Sequence, residues 1–221
     1  MGAALVETVL AERGLKDISQ PLSAGLPTWP GDTRFAAETL WSIGPDCPVT
    51  VSRITCSTHA GTHADAPLHY DPGGAAIDAV DLEPYLGPAR VLDLRGAGPV
   101  VTPALLEPAL ATPVARVLFR TYDRFPHAVW SERFTTVSPE AIALLAERGV
   151  RLIGIDSPSI DPQHAKTLHA HQAARAADMR ILEGLVLDDV EAGDYELIAL
   201  PLRLHGLDAA PVRAILRPLP R

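Results

Sequence analysis

The sequence predicts an α/β domain, and three observations carry that expectation. The apolar runs "ARVLDLRG" (89–96), "ARVLFRTY" (115–122) and "VRLIGIDS" (150–157) end in polar or small residues, as buried strands do. Between them lie the helical segments "TPALLEPAL" (102–110) and "SPEAIALLAERG" (138–149). Each segment places a hydroxyl residue, Thr102 or Ser138, before a proline, the pattern of an N-cap followed by proline in the first turn. Strand–helix–strand alternation then implies some parallel pairing.

The first fifteen residues read as a short amphipathic helix, with Leu5, Val6, Val9 and Leu10 near one face and Gly14 stopping it. Residues 1–16 are therefore expected to form a helical extension and residues 17–221 a single domain. "KDISQPLSAGLPTWPGD" (16–32) begins as a strand and becomes a Pro/Gly-punctuated loop carrying Trp29. "VTVSRITCS" (49–57) alternates apolar and polar positions, which predicts a strand. "LHAHQAARAADM" (168–179) reads as helix and "ILEGLVL" (181–187) as strand, and "YELIALPLRLHG" (195–206) and "VRAILRPL" (212–219) are expected to be two more strands.

Composition narrows the function. A hydrophobic fraction of 47% with 21% charged residues is enough for a sizeable core. A formal net charge of −8, with the 19 basic residues scattered, argues against a nucleic-acid partner, because phosphate binding needs clustered Lys and Arg. Cys47 and Cys56 are too few for a disulfide framework and are expected to be free, buried thiols. No apolar run reaches membrane-spanning length and the N-terminus lacks a signal-peptide pattern, so the expected location is cytoplasmic, with no membrane partner.

Three of the eight histidines fall within "STHAGTHADAPLHY" (57–70), among residues too small to build a core. His59, His63, Asp65 and His69 follow the spacing H-x-x-x-H-x-D-x-x-x-H. Either a helical turn, with His59 and His63 on one face, or a tight loop at Gly61 brings them together. Imidazole with carboxylate suits zinc, or manganese where oxygen ligands dominate. The stretch offers at most four groups, so either His69 is a ligand or other segments contribute. Glu183, grouped by strand alternation with Ile181, Leu185 and Leu187, is expected to be a buried, partnered carboxylate. His169 and His171 lie at the head of the preceding helix, and one of them is expected to meet Glu183 at the metal.

Residues 59–69, "HAGTHADAPLH", match H-x-G-T-H-x-D-x-P-x-H, the hallmark of the metal-dependent cyclase-like superfamily, at every fixed position. The blocks "PTWPGDT", "CPVTVSRIT", "GIDSPSIDPQHAKTL", "ILEGLVLDDV" and "GDYELIALPLRL" extend the match from about Asp17 to Pro218. In these the chain resembles the bacterial kynurenine formamidases. The resemblance implies a swivelling β/β/α domain, usually a homodimer, with two zinc ions per subunit. It implies that His59, His63 and Asp65 bind one ion, that Asp65 and Glu183 bridge, and that His171 binds the second. It places the ligand at His171 rather than His169, because twelve residues separate His171 from Glu183 as in the family. It makes His69 the acid/base and Trp29 an aromatic wall against the substrate.

The chemistry fits these residue types. Hydrolysing a formamide needs a nucleophile at neutral pH, a polarised carbonyl and a proton for the departing nitrogen. Divalent ions supply the first two, and an imidazole that titrates near neutrality suits the third. The expected activity is hydrolysis of N-formyl-L-kynurenine to L-kynurenine and formate in tryptophan catabolism. Two rivals stand beside it: a related enzyme opening a lactam such as isatin with manganese or zinc, and a non-catalytic protein whose metal site is closed by His69. Trp41 and Trp130 read as packing residues, and His127, His164 and His205 as surface or hydrogen-bonded histidines.

Overall fold

The computed structural model describes residues 14–219. Its strands are β1 (Lys16–Asp17), β2 (Ala36–Trp41), β3 (Val51–Thr55), β4 (His63–Asp65), β5 (Leu86–Asp93), β6 (Val100–Val101) and β7 (Arg116–Arg120). They continue with β8 (Thr136–Val137), β9 (Leu152–Ile155), β10 (Arg180–Glu183), β11 (Gly193–Ile198), β12 (Ala209–Pro211) and β13 (Ile215–Pro218). The helices are α1 (Pro103–Leu106), α2 (Pro139–Glu147) and α3 (His169–Ala176), joined by several 3-10 turns. The helix expected before Gly14 falls outside the described residues, and Lys16 already pairs with Leu216 of β13.

A nine-stranded sheet runs in the order β1-β13-β11-β5-β7-β9-β10-β4-β12. The three apolar runs supply its parallel centre, β5-β7-β9, which β10 extends, and antiparallel strands flank it on both sides. The sheet curls. Leu216 of β13, Leu197 of β11 and Ala210 of β12 share one buried cluster with Leu118 and Leu182 of the centre. The opposite face carries Phe119, Ile153, Ile155 and Ile181 under Ile142 and Leu145 of α2 and Ala170 and Ala174 of α3. One core is thus closed by sheet on sheet and the other by helices on sheet, a β/β/α arrangement.

Several elements depart from the sequence expectation, each for a local reason. Pro108 interrupts "TPALLEPAL", so α1 is one turn that gives way to a 3-10 turn, and Thr102 caps nothing. Ser138 does cap α2, accepting from the amide of Ala141. β10 ends at Glu183 because Gly184 adopts a φ of 65°, and a Cβ there would lie 2.7 Å from Gly61 O. Glu183 therefore keeps company with Ile181, while Leu185 and Leu187 pass to the other core. β11 stops before Pro201, leaving residues 199–206 without strand pairing. Cys47 and Cys56 are free but half-buried rather than buried.

Candidate metal centre

The histidine-rich stretch is neither a helical turn nor wholly a loop. His59 sits in a loop that turns at Gly61 (φ 65°), and the chain then straightens into β4. That positive φ favours glycine, and a Cβ at Gly61 would also lie 2.8 Å from Leu22 Cδ2, which would have to shift. β4 is paired on both sides, with Glu183 of β10 opposite His63 and Ala209 of β12 opposite Asp65. Residues two apart on a strand share a face, and paired residues share it too, so register alone puts His63, Asp65 and Glu183 together. α3 adds His171. Asp161 accepts from the amides of Ala170 and His171, at 3.1 and 3.0 Å, and so holds the start of that helix beside the sheet.

Each carboxylate is divided between two sets of imidazoles. Asp65 Oδ1 lies 3.1 Å from His59 Nδ1 and 3.4 Å from His63 Nε2, while its Oδ2 lies 3.3 Å from His171 Nε2. Glu183 Oε2 lies 3.5 Å from His63 Nε2 and its Oε1 3.7 Å from His171 Nε2. The far nitrogens of the same rings are anchored: His63 Nδ1 to Gly61 O at 2.9 Å, His171 Nδ1 to Asp161 at 2.7 Å and His59 Nε2 to Asp208 at 3.0 Å. These three partners only accept hydrogen bonds, so each ring carries its proton on the far side and turns a lone pair inward when neutral. His63 Nε2 and Asp65 Oδ1 are buried without a hydrogen-bond partner, a cost that a bound cation removes. The donor set and its unsatisfied atoms fit a divalent metal.

Electrostatics agree. Burial pulls His63 and His171 downward. The carboxylates outweigh it and lift each to about 10: Asp65 and Glu183 act on His63, Asp161 and Asp65 on His171. Burial likewise opposes the charge on Asp65, yet the imidazoles of His171, His59 and His63 gathered around it hold it far below the usual carboxylate range. These carboxylates thus favour positive charge beside them, whether as imidazolium or as a bound cation.

His69 lies at the mouth, about a third of its side chain exposed, with its ring centroid 4.2 Å from that of His59 and 5.9 Å from that of His171. Partial burial leads its pKa below the ordinary histidine value. The groups close enough to share one ion include His59, His63 and Asp65, and also Asp65, His69 and His171.

The centre forms the floor of a cleft of about 330 Å³ at the carboxyl ends of β7, β9 and β10, where open α/β sheets place their sites. Trp29 and Trp130 both form part of its wall. Their rings meet edge to face at 5.4 Å, Phe134 lies 6.4 Å from Trp29, and Trp130 Nε1 donates to Gln163 Oε1 at 2.7 Å. Asp156 anchors the loop that brings Tyr122 and Phe125 to the cleft, accepting from Thr121 N, Thr121 Oγ1 and Tyr122 N at 2.7, 2.5 and 2.9 Å. His169 is exposed and lies outside the cleft. His127 is exposed too, while His164 and His205 meet Glu132 and Asp78 at the surface. Sequence reading missed Asp161, Asp208 and Trp130; of these only Asp161 carried a signal, standing in "GIDSPSID" just after a strand end.

The Cyclase family model, described as "Putative cyclase", matches residues 16–162. The chain is 56% identical over 204 residues to a kynurenine formamidase from Maricaulis maris (strain MCS10), covering 92% of this chain and 98% of that protein. Among solved structures it is similar to a "predicted metal-dependent hydrolase" from Bacillus stearothermophilus (33% identity, TM-score 0.79, 91% of this chain and 97% of that one). It is also similar to isatin hydrolase A from Labrenzia aggregata (25% identity, TM-score 0.79, 97% and 98%). With that family match across more than half its length, and with the fold shared by these metal hydrolases, the chain belongs to the Cyclase family.

Proposed function

We propose that the protein is a zinc-dependent hydrolase that converts N-formyl-L-kynurenine to L-kynurenine and formate in tryptophan catabolism. The observation that carries this reading is the division of two buried carboxylates, Asp65 and Glu183, between two sets of histidines. His59, His63 and Asp65 would hold one ion, and His171 with the bridging Asp65 and Glu183 the second. When bound, such ions act as Lewis acids that polarise a carbonyl and acidify water. Manganese is the other ion this nitrogen and oxygen donor set accepts.

The remaining work belongs to the chain's own side chains. Trp29 and Trp130 present aromatic surface to the aniline ring of the substrate and keep water from its faces. His69 Nδ1 turns toward Asp208, at 3.5 Å, which leaves Nε2 as the nitrogen that delivers a proton to the departing aniline nitrogen. Ile160 N donates to Glu183 Oε1 at 2.8 Å and fixes that carboxylate's orientation. The 56% identity to a kynurenine formamidase, against 25% to an isatin hydrolase, favours the open-chain formamide over the lactam.

The protein is further proposed to be a homodimer in the cytoplasm. The two-stranded ribbon β2–β3 exposes Leu40, Trp41 and Ile54, and such a ribbon is marginal in water unless covered. Two free thiols suit a reducing compartment. The activity is tested by kynurenine release from N-formyl-L-kynurenine, with a chelated sample and an isatin arm alongside. Release that chelation abolishes supports the reading; isatin opening without kynurenine release transfers the assignment to the lactam hydrolases.

A further inference from the structure

Asp208 stands outside the five candidate ligands and does not line the cleft, yet it touches two of the histidines that matter most. Its Oδ2 lies 3.0 Å from His59 Nε2 and 3.5 Å from His69 Nδ1, and its Oδ1 accepts from Thr58 Oγ1 at 3.0 Å. The main chain fixes its place. Asp208 O accepts from Ala66 N at 2.9 Å, and Ala209, the next residue, pairs with Asp65 across β12 and β4. The edge strand of the sheet thus delivers one carboxylate to the outward nitrogens of both rings.

We infer that Asp208 is a positioning residue that aims His59 at the metal and His69 at the substrate. The inference rests on the reading of His59 as a ligand and His69 as the proton carrier. A carboxylate only accepts, so its bond to Nε2 leaves the lone pair of His59 Nδ1 facing Asp65, 3.1 Å away. The His59 and His69 rings sit 4.2 Å apart at 49°, so a ring freed to rotate displaces its neighbour. Asp161 does the same for His171 from the connection that precedes the helix, whereas Asp208 holds a ligand and the proton carrier together.

The test uses the full chain and its Asp208→Ala and Asp208→Asn variants. Zinc affinity is read by competition with a chromophoric chelator, and kcat and KM for N-formyl-L-kynurenine are read after full zinc loading. In Asp208→Ala, zinc affinity is expected to fall by about 10–100-fold, the range for lost outer partners of ligating histidines. Its kcat is expected to fall on the order of tenfold or more, with KM within about twofold. Asp208→Asn keeps an oxygen acceptor for His59 and is expected to recover zinc affinity to within about threefold of wild type. Should the alanine variant fail to fold, Asp208→Glu, which displaces the oxygens and keeps the charge, is expected to show the same loss of zinc affinity. Wild-type zinc affinity in the folded alanine or glutamate variant overturns the inference. A wild-type chain that binds zinc but releases no kynurenine overturns the proposed function instead, and the zinc titration still decides the effect of Asp208 on His59.

Discussion

The floor and the wall of the cleft are built in different ways. On the floor, His63, Asp65 and Glu183 stand on β4 and β10, locked by register and buried, with His171 delivered by a helix that packs on the sheet. The wall is made of loops. Trp29 comes from a Pro/Gly-rich turn, Trp130 from a segment held through Gln163, and Tyr122 and Phe125 from a connection tied to Asp156. Metal chemistry tolerates little displacement, and three of the proposed ligands, His63, Asp65 and Glu183, sit where backbone pairing fixes them. The proposed substrate wall is carried by segments that can vary without disturbing that frame.

Substitutions in the two regions should therefore fail differently. The largest effect is expected for His63→Ala, which should bind zinc more weakly by over roughly 100-fold, beyond the range for outer partners, and lose turnover with it. Elemental analysis after dialysis and a kynurenine assay check both. His69→Ala should keep its zinc while kcat falls by about 10²–10⁴-fold, the contribution typical of a positioned proton donor. If His69→Ala loses zinc instead, the residue belongs to the floor rather than the mouth.

Asp156 links wall stability to pH. Burial lifts its pKa to about 6 in the folded chain, against the hydrogen bonds from Thr121 and Tyr122. The native state then holds more protons than the unfolded state between about pH 4 and 6, so this group's contribution to stability falls as pH rises through that window. Relative to Asp156→Asn, the wild type should lose up to about 3 kcal/mol between pH 4 and 6.5, measured by urea unfolding at each pH. A constant difference would place its titration elsewhere. Trp130→Ala should have the smallest effect: KM for N-formyl-L-kynurenine up about tenfold, roughly 1.4 kcal/mol of binding, with kcat little changed.

The same division governs what the sequence disclosed. The parallel centre was legible because fully buried strands read as continuous apolar runs, and β5, β7 and β9 each coincide with one. The cluster of His59, His63, Asp65 and His69 was legible because its members are neighbours in sequence. Its conformation was not: a four-residue spacing suits a helical turn, and only pairing with β10 and β12, over a hundred residues away, makes residues 63–65 a strand. β6, β8 and β12 are two or three residues long, too short to carry a period. Asp208 and Trp130 acquire their roles from His59 and Trp29, 149 and 101 positions distant, and nothing in their own surroundings announces it.

The central claim is that five side chains on two strands, a loop and a helix hold two divalent ions bridged by Asp65 and Glu183. The most direct test is the zinc content per chain of the active protein after equilibrium dialysis, read beside turnover as zinc is titrated into the metal-free chain. Two ions per chain, with activity complete only when both are bound, is the expected result. Full activity with a single bound ion would contradict the account.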